Sequence, residues 1–160
     1  MPYTVKTEGL NELSRALESL GNAADGIAAQ GLYEGARVMA DAVRQSVQSI
    51  QTARFRYVKN GGQRLPSPEE KAVLENAKIG VAKFRKNGIR VDTSVGIQNS
   101  GYGTLNGKTV PVPVIANAIN SGTSFMKKQP FVRKAANSGG KKAIAAMTAS
   151  IEEAFGAMTK

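Results

Sequence analysis

Apolar positions recur along this chain in two rhythms. Tyr3, Val5 and Thr7 alternate with Thr4, Lys6 and Glu8, the period of a short half-buried strand that Gly9 would end. The step then lengthens to three and four. Leu13, Leu17 and Leu20 predict a helix, with Leu10 just before it, Asn11 as its cap and Gly21-Asn22 as its close. A second, longer helix is predicted from about Ala24 to Ile50, because Leu32, Ala36, Met39, Val43, Val47 and Ile50 fall on one stripe. Gly31 and Gly35 lie four apart and share a face of it. Each costs roughly 1 kcal/mol relative to Ala in a helix. Close approach of another backbone would offset that cost; a weak first turn is the other reading.

Beyond Ile50 the pattern loosens. Ala53 to Lys59 alternates apolar and basic residues, and Asn60-Gly61-Gly62 marks a turn. Pro66-Ser67-Pro68-Glu69-Glu70 reads as a helix start, with Ser67 as cap, Pro68 at the first helical position and carboxylates at the positive end of the dipole. Val73, Leu74 and Ala77 give that helix an apolar side to about Lys78, and Gly80 would end it. Because its flanks are basic and rich in turn residues, 51–86 is expected to be a flexible or extended arm on a single domain spanning 1–160. Lys86-Asn87-Gly88-Ile89 is a turn signal, and Ile89, Val91, Thr93, Val95 and Ile97 alternate strictly as one strand.

Gly101, Gly103 and Gly107 make 99–108 a loop or hairpin end. Val110-Pro111-Val112-Pro113-Val114 reads as an irregular or edge strand, with a helical turn from Ile115 to Asn120. The last helix is predicted from about Pro130 to Ala157. Phe131 and Val132 would face inward, Ser138-Gly139-Gly140 would be a weak point, and Ile144, Met147, Ile151 and Phe155 would form an apolar stripe. Few strands among several helices predict an α+β domain: a small antiparallel sheet packed with a long N-terminal helix and a C-terminal helix, plus a basic loop-and-helix insertion.

Composition narrows the chemistry. With 160 residues and 41% apolar content, the chain can build one core. It has no Cys and no His, which removes disulfides, thiolate zinc sites, cysteine nucleophiles and His-based triads. Glu69-Glu70 is explained by its helix start and Glu152-Glu153 by a polar helix face, and Asp92 stands alone. No carboxylate cluster has metal-ligand spacing, so neither an enzyme nor a bound cofactor is expected. No stretch has the apolar length of a bilayer span or a signal peptide, so a soluble, cytoplasmically made protein is expected.

The net charge of +10 points to an anionic partner. Residues 1–50 carry 4 basic and 6 acidic groups, 51–90 carry 10 and 3, and 91–160 carry 8 and 3, so the excess lies in the middle and C-terminal parts. Arg54, Arg56, Lys59 and Arg64 interleave with Phe55 and Tyr57; Lys83, Arg85, Lys86 and Arg90 surround Phe84. Lys127, Lys128, Arg133 and Lys134 surround Phe131. Such sets can form a solvated surface, meet acidic protein neighbours, or grip DNA phosphates without reading sequence.

One stretch is more specific. After an apolar segment, Gly122 reads as a position needing freedom in φ, and Pro130 suits a helix start. A turn feeding an amphipathic helix explains these residues locally. Gly122-Thr123-Ser124, Met126, Gln129-Pro130-Phe131, Arg133 and Ala135 also resemble the G-T-S-x-M-x-x-x-P-F-x-R-x-A box near the C-terminus of a tailed-bacteriophage neck and tail-completion protein family. Members tend to begin with a strand, a Gly-Leu step and a helix, as Val5 to Leu20 does, and to carry a Gly-Ala step in a long helix, as at Gly35-Ala36. The chain departs at Asn120 and Ser121, where an acidic and an aromatic residue often precede the Gly-Thr. The resemblance implies a virion structural protein made in the host cytoplasm. It would sit in a homo-oligomeric ring between head and tail, against connector or stopper, tail-terminator or tail-tube proteins, with viral DNA in the channel. The alternative is a free-standing, sequence-independent nucleic-acid binder that uses the basic 54–90 and 127–142 regions.

Overall fold

A helix of 41 residues, α1 (Glu8–Gln48), is the longest element. At 1.5 Å per residue it is about 60 Å long. The computed structural model describes residues 8–54, 62–81, 85–87, 90–97 and 101–158. The predicted strand at Tyr3 to Thr7, the run containing Arg56 and Lys59, Lys83-Phe84, and the turn at Gly88-Ile89 lie outside these residues. The predicted break at Gly21-Asn22 is absent, and Asn11 lies within α1 instead of capping a helix. Ala23, Ala24, Ala28 and Ala29 are the best helix formers and follow directly, so the modest local cost of Gly and Asn is outweighed.

The last helix, α4 (Phe131–Met158), packs antiparallel on α1. Ser46 Oγ donates to the Phe131 carbonyl at 2.7 Å at one end, and Gly31 faces Ile151 towards the other. Close approach is what the structure shows at the glycines. A Cβ on Gly35 would fall 2.3 Å from Met147 Cγ and 3.1 Å from the Ala143 carbonyl oxygen; one on Gly31 would fall 2.6 Å from Ile151 Cγ1. Gly139, expected to weaken α4, instead fits it against α1, since a Cβ there would lie 2.6 Å from Ala42 Cβ. The inward face of α4 is Phe131, Ala135, Gly139 and Ala143. Val132, Ile144 and Phe155, expected inside, are exposed, and Met147 and Ile151 are half-buried. Past Phe131, small size marks this face more than hydrophobicity, so an apolar-stripe reading lands beside it.

Between the two helices in the chain come α2 (Pro68–Glu75), α3 (Val112–Ser121) and, among the described residues, six short strands. Strands β1 (Ile79–Val81) and β4 (Val95–Ile97) pair antiparallel, Ile79 opposite Ile97. Inside that pair, β2 (Arg85–Asn87) meets β3 (Arg90–Asp92), Arg85 opposite Asp92. Register shifts by one residue between the two pairs, as at a bulge. The single strand expected from Ile89 to Ile97 is thus two, interrupted at Thr93-Ser94. A second hairpin joins β5 (Tyr102–Leu105) to β6 (Lys108–Pro111) through Asn106 and Gly107, whose φ values of 53° and 73° are those of a primed turn.

Three further expectations are corrected. The α2 helix ends at Glu75, and Ile79–Val81 is strand instead of the tail of that helix. The Val110 to Val114 strand stops at Pro111, because Pro113 sits in the first turn of α3, where its missing N–H has no partner to lose. The arm expected at 51–86 is, over 62–81, part of the body: Pro66, Ser67 and Leu74 are almost fully buried. The core joins Val47 of α1 and Ile50 just beyond it to Leu74, Ile79, Ile119 and Phe131. The molecule is therefore α+β, with a long N-terminal helix and a C-terminal helix packed together and small antiparallel strand pairs. No helix among the described residues is long and apolar enough to cross a membrane.

Two neighbouring glycines give a matched test of the α1–α4 approach. A Cβ on Gly140 meets nothing within 4 Å, so Gly140→Ala should stabilise by roughly 0.5–1 kcal/mol. Gly139→Ala gains the same propensity but should lose about 1–3 kcal/mol net, because it pushes two backbones apart. Denaturant unfolding of both variants reads this, and equal shifts would refute the close packing.

Candidate functional site

The box from Gly122 to Ala135 begins where α3 stops. Gly122 has φ of 78°, a conformation that disfavours any side chain, and its N–H donates to the Ala118 carbonyl at 3.0 Å. Thr123 closes the next turn. Its N–H donates to the Met126 carbonyl and its Oγ1 accepts from the Met126 N–H, both at 3.0 Å. Hydroxyl-to-backbone bonds of this kind are why Thr recurs in tight turns.

Met126 is buried and forms a parallel bridge with Arg64. The Arg64 N–H donates to the Phe125 carbonyl and the Lys127 N–H to the Arg64 carbonyl, each at 2.8 Å, while Gln63 Nε2 donates to the Thr123 carbonyl at 2.8 Å. Gln129, also buried, donates from its backbone to Ile119 at 2.8 Å and from Nε2 to the Gln51 carbonyl at 3.2 Å. Its two bonds tie the box to α3 and to the chain leaving α1. Pro130 stands one residue before the helix instead of at its first position; its carbonyl accepts from the Lys134 N–H at 3.1 Å. Phe131 and Ala135 then enter the core. At one of the two departures from the family pattern, Asn120 Oδ1 accepts from the Val132 N–H at 3.2 Å, serving the unpaired donors of the helix start without a charge.

The segment clasped to the box is itself anchored. Ser67 caps α2 with Pro68 in its first turn, and Glu70 completes a capping box by accepting from the Ser67 N–H at 2.8 Å. The same carboxylate takes both terminal nitrogens of Arg64 at 2.6 and 2.7 Å, a bidentate pair at 11% and 15% side-chain exposure. Hydrogen bonding to Glu70 raises the Arg64 pKa, against the lowering effect of burial and with help from the carboxylate charge. A raised pKa gives stability that is complete below the unfolded value and lost only as pH rises through the folded one. For arginine that lies in the strongly alkaline range, so its own titration leaves the clasp intact at ordinary pH. Arg64 also stands 5.8 Å from the centre of the Phe125 ring. It therefore leaves the set of cations expected to meet a partner: its charge is used inside.

The remaining candidates divide cleanly. Gly122, Thr123, Met126, Gln129, Phe131 and Ala135 hold the fold together, with Pro130 at the helix entrance. Ser124, Lys127, Lys128 and Arg133 face outward, as does Phe125, a large apolar side chain at 57% exposure. Arg54 and Arg85 are exposed elsewhere, while nothing is described of the Lys86 side chain. Phe125 and the Arg64–Glu70 pair were not singled out from the sequence. The Ser67-to-Glu70 spacing was visible, but no periodicity links position 64 to 70. Among the described residues no group of His, Cys, Asp and Glu could hold a metal ion. Comparison with known protein families, with curated proteins and with solved structures finds no match.

Removing Glu70 takes away a cap and strands a guanidinium. Glu70→Ala should therefore cost about 3 kcal/mol. Arg64→Ala should be damaging too, and the double variant should cost clearly less than the two singles combined. A double-mutant cycle by chemical denaturation measures the coupling; strictly additive losses would show that the pair is not a unit.

Proposed function

We propose that this chain is a structural subunit of a tailed-bacteriophage virion, a neck or tail-completion protein that helps join the DNA-filled head to the tail. The observation that carries the reading is the G-T-S-x-M-x-x-x-P-F-x-R-x-A box: most of its apolar and turn-forming positions are taken up by the fold, while Phe125, Lys127, Lys128 and Arg133 are left exposed. An exposed aromatic in a segment with exposed cations is suited to a protein neighbour bearing carboxylates. In this reading the protein acts by shape and repeated contact, without turnover, in a ring against connector or stopper, tail-terminator or tail-tube proteins. Its location would be the virion neck.

A second reading is supported by the exposure of Arg54, Arg85, Lys127 and Lys128. These could contact DNA phosphates in a sequence-independent way, either in the channel of such a ring or in a free-standing binder. Affinity for DNA would then fall steeply with salt.

Light scattering of the protein alone and mixed with purified phage tails or neck proteins, at two salt concentrations, separates the two. A defined larger species on mixing is expected. The triple variant Lys127→Glu/Lys128→Glu/Arg133→Glu should weaken that association by on the order of tenfold or more. Its thermal midpoint should barely move, since all three positions are exposed. A monomer that ignores these partners yet binds duplex DNA at low salt would replace the first reading with the second.

A further inference from the structure

The antiparallel register fixes where α1 outruns its partner. With Gly31 beside Ile151 and Gly35 beside Met147, the end of α4 at Met158 comes level with about residue 23 of α1. The first part of α1, from Glu8 to about Gly21, projects beyond that end by roughly 20 Å. The sequence of this projection carries Leu10, Leu13, Leu17 and Leu20, positions that share one helical face in steps of three and four. It also carries Glu8, Glu12 and Glu18 against a single cation, Arg15.

Near the other end of α1 lies an apolar groove of about 360 Å³. Val43 and Val47 of α1, Ile97 of β4, Ala116 of α3, and Phe131 and Val132 of α4 line it. Its polar lining is amide only, from Asn117 and Asn120, and no charged side chain among the described residues lines it. Cations stand next to it in the chain: Arg133 follows Val132, and Lys128 packs against Gly122 just past the end of α3. An apolar trough with basic neighbours suits a helix with leucines at these steps and acidic residues between them.

We propose that the projecting start of α1 in one copy docks into the α1–β4–α3–α4 groove of a second copy of this chain. The projection cannot reach its own groove, because Leu17 and Val43 are about 40 Å apart along one continuous helix. The two surfaces differ, so the contact is heterologous: each copy has one projection to give and one groove to fill. Such a contact propagates head to tail and ends only by closing a ring. Charge favours it, since residues 1–50 are net acidic and the rest of the chain is strongly basic. The proposal deepens the assembly reading above by naming the contact between copies, and it rests on that reading only for the closure of the ring.

The test uses full-length chains with lesions on opposite sides of the contact. Leu13→Asp/Leu17→Asp spoils the projection. Val132→Asp spoils the groove, with Asn117→Glu, an exposed helical position, as a second groove lesion less able to disturb folding. Circular dichroism checks that each variant is folded. In light scattering the unaltered chain should rise with concentration beyond the dimer from its 16.9 kDa monomer, and less so at high salt. Each variant alone should remain monomeric. An equimolar mixture of a projection variant and a groove variant should give a one-to-one dimer and nothing larger, because only one intact pair of surfaces remains. An unaltered chain that stays monomeric at high concentration would overturn the contact, as would folded variants whose mixture does not pair. If such a monomer still bound neck or tail proteins, the contact would fall while the assembly reading stood.

Discussion

Everything else in this fold is arranged around the distance between two helix backbones. Where α1 and α4 cross at Ala42 and Gly139 there is no room for one more methyl group. Gly35 and Gly31 extend the same constraint along α1 against Met147 and Ile151. Helices this close gain dispersion contacts along their whole shared length, and the small residues give up helix propensity in exchange. The approach also brings Phe131 under Ser46, and that bond fixes where the box must turn into α4.

From that point the box and the 63–70 segment work as one clasp. Gly122 and Thr123 make the reversal, Gln129 reaches back to Ile119 and Gln51, and Arg64 lies in a bridge beside Met126 while its side chain holds Glu70. Glu70 is shared between a helix cap and an ion pair, so α2 and the box are oriented by one carboxylate. The result is a hydrogen-bonded base on which Phe125, Lys127 and Lys128 are exposed. This stretch is thus mostly architecture, and the surface it offers is carried by Ser124, Phe125, Lys127, Lys128 and Arg133.

How far the sequence disclosed this depends on the kind of signal. The α+β class, the long helix and the stripe through Ala36 and Val47 follow from helical periodicity, which burial enforces. Ser67, Pro68 and Glu70 were legible because a capping box is local chemistry at fixed spacing. Gly21-Asn22 misled because punctuation residues act only where the surrounding propensity is weak. Pro111 and Pro113 misled because proline suits both an edge strand and a first helical turn. Ile144 and Phe155 misled because α4 turns its small residues inward, a choice dictated by α1. Arg64 looked like a surface cation until its partner six residues away came into view, a juxtaposition that only the tertiary path creates.

The order of elements has a consequence for how the chain is made. The residues that meet most tightly, Ala42 and Gly139, are nearly a hundred positions apart, so at 5–20 residues per second a ribosome emits the second roughly 5–20 s after the first. The hairpins and α2 can form as they emerge, since their contacts are local. The glycine-bearing face of α1 has no such option: its cover, α4, is made after every other described element. Completion of the core therefore waits until α4 has left the tunnel, and a nascent polypeptide truncated before α4 would expose its longest helix to chaperones and proteases.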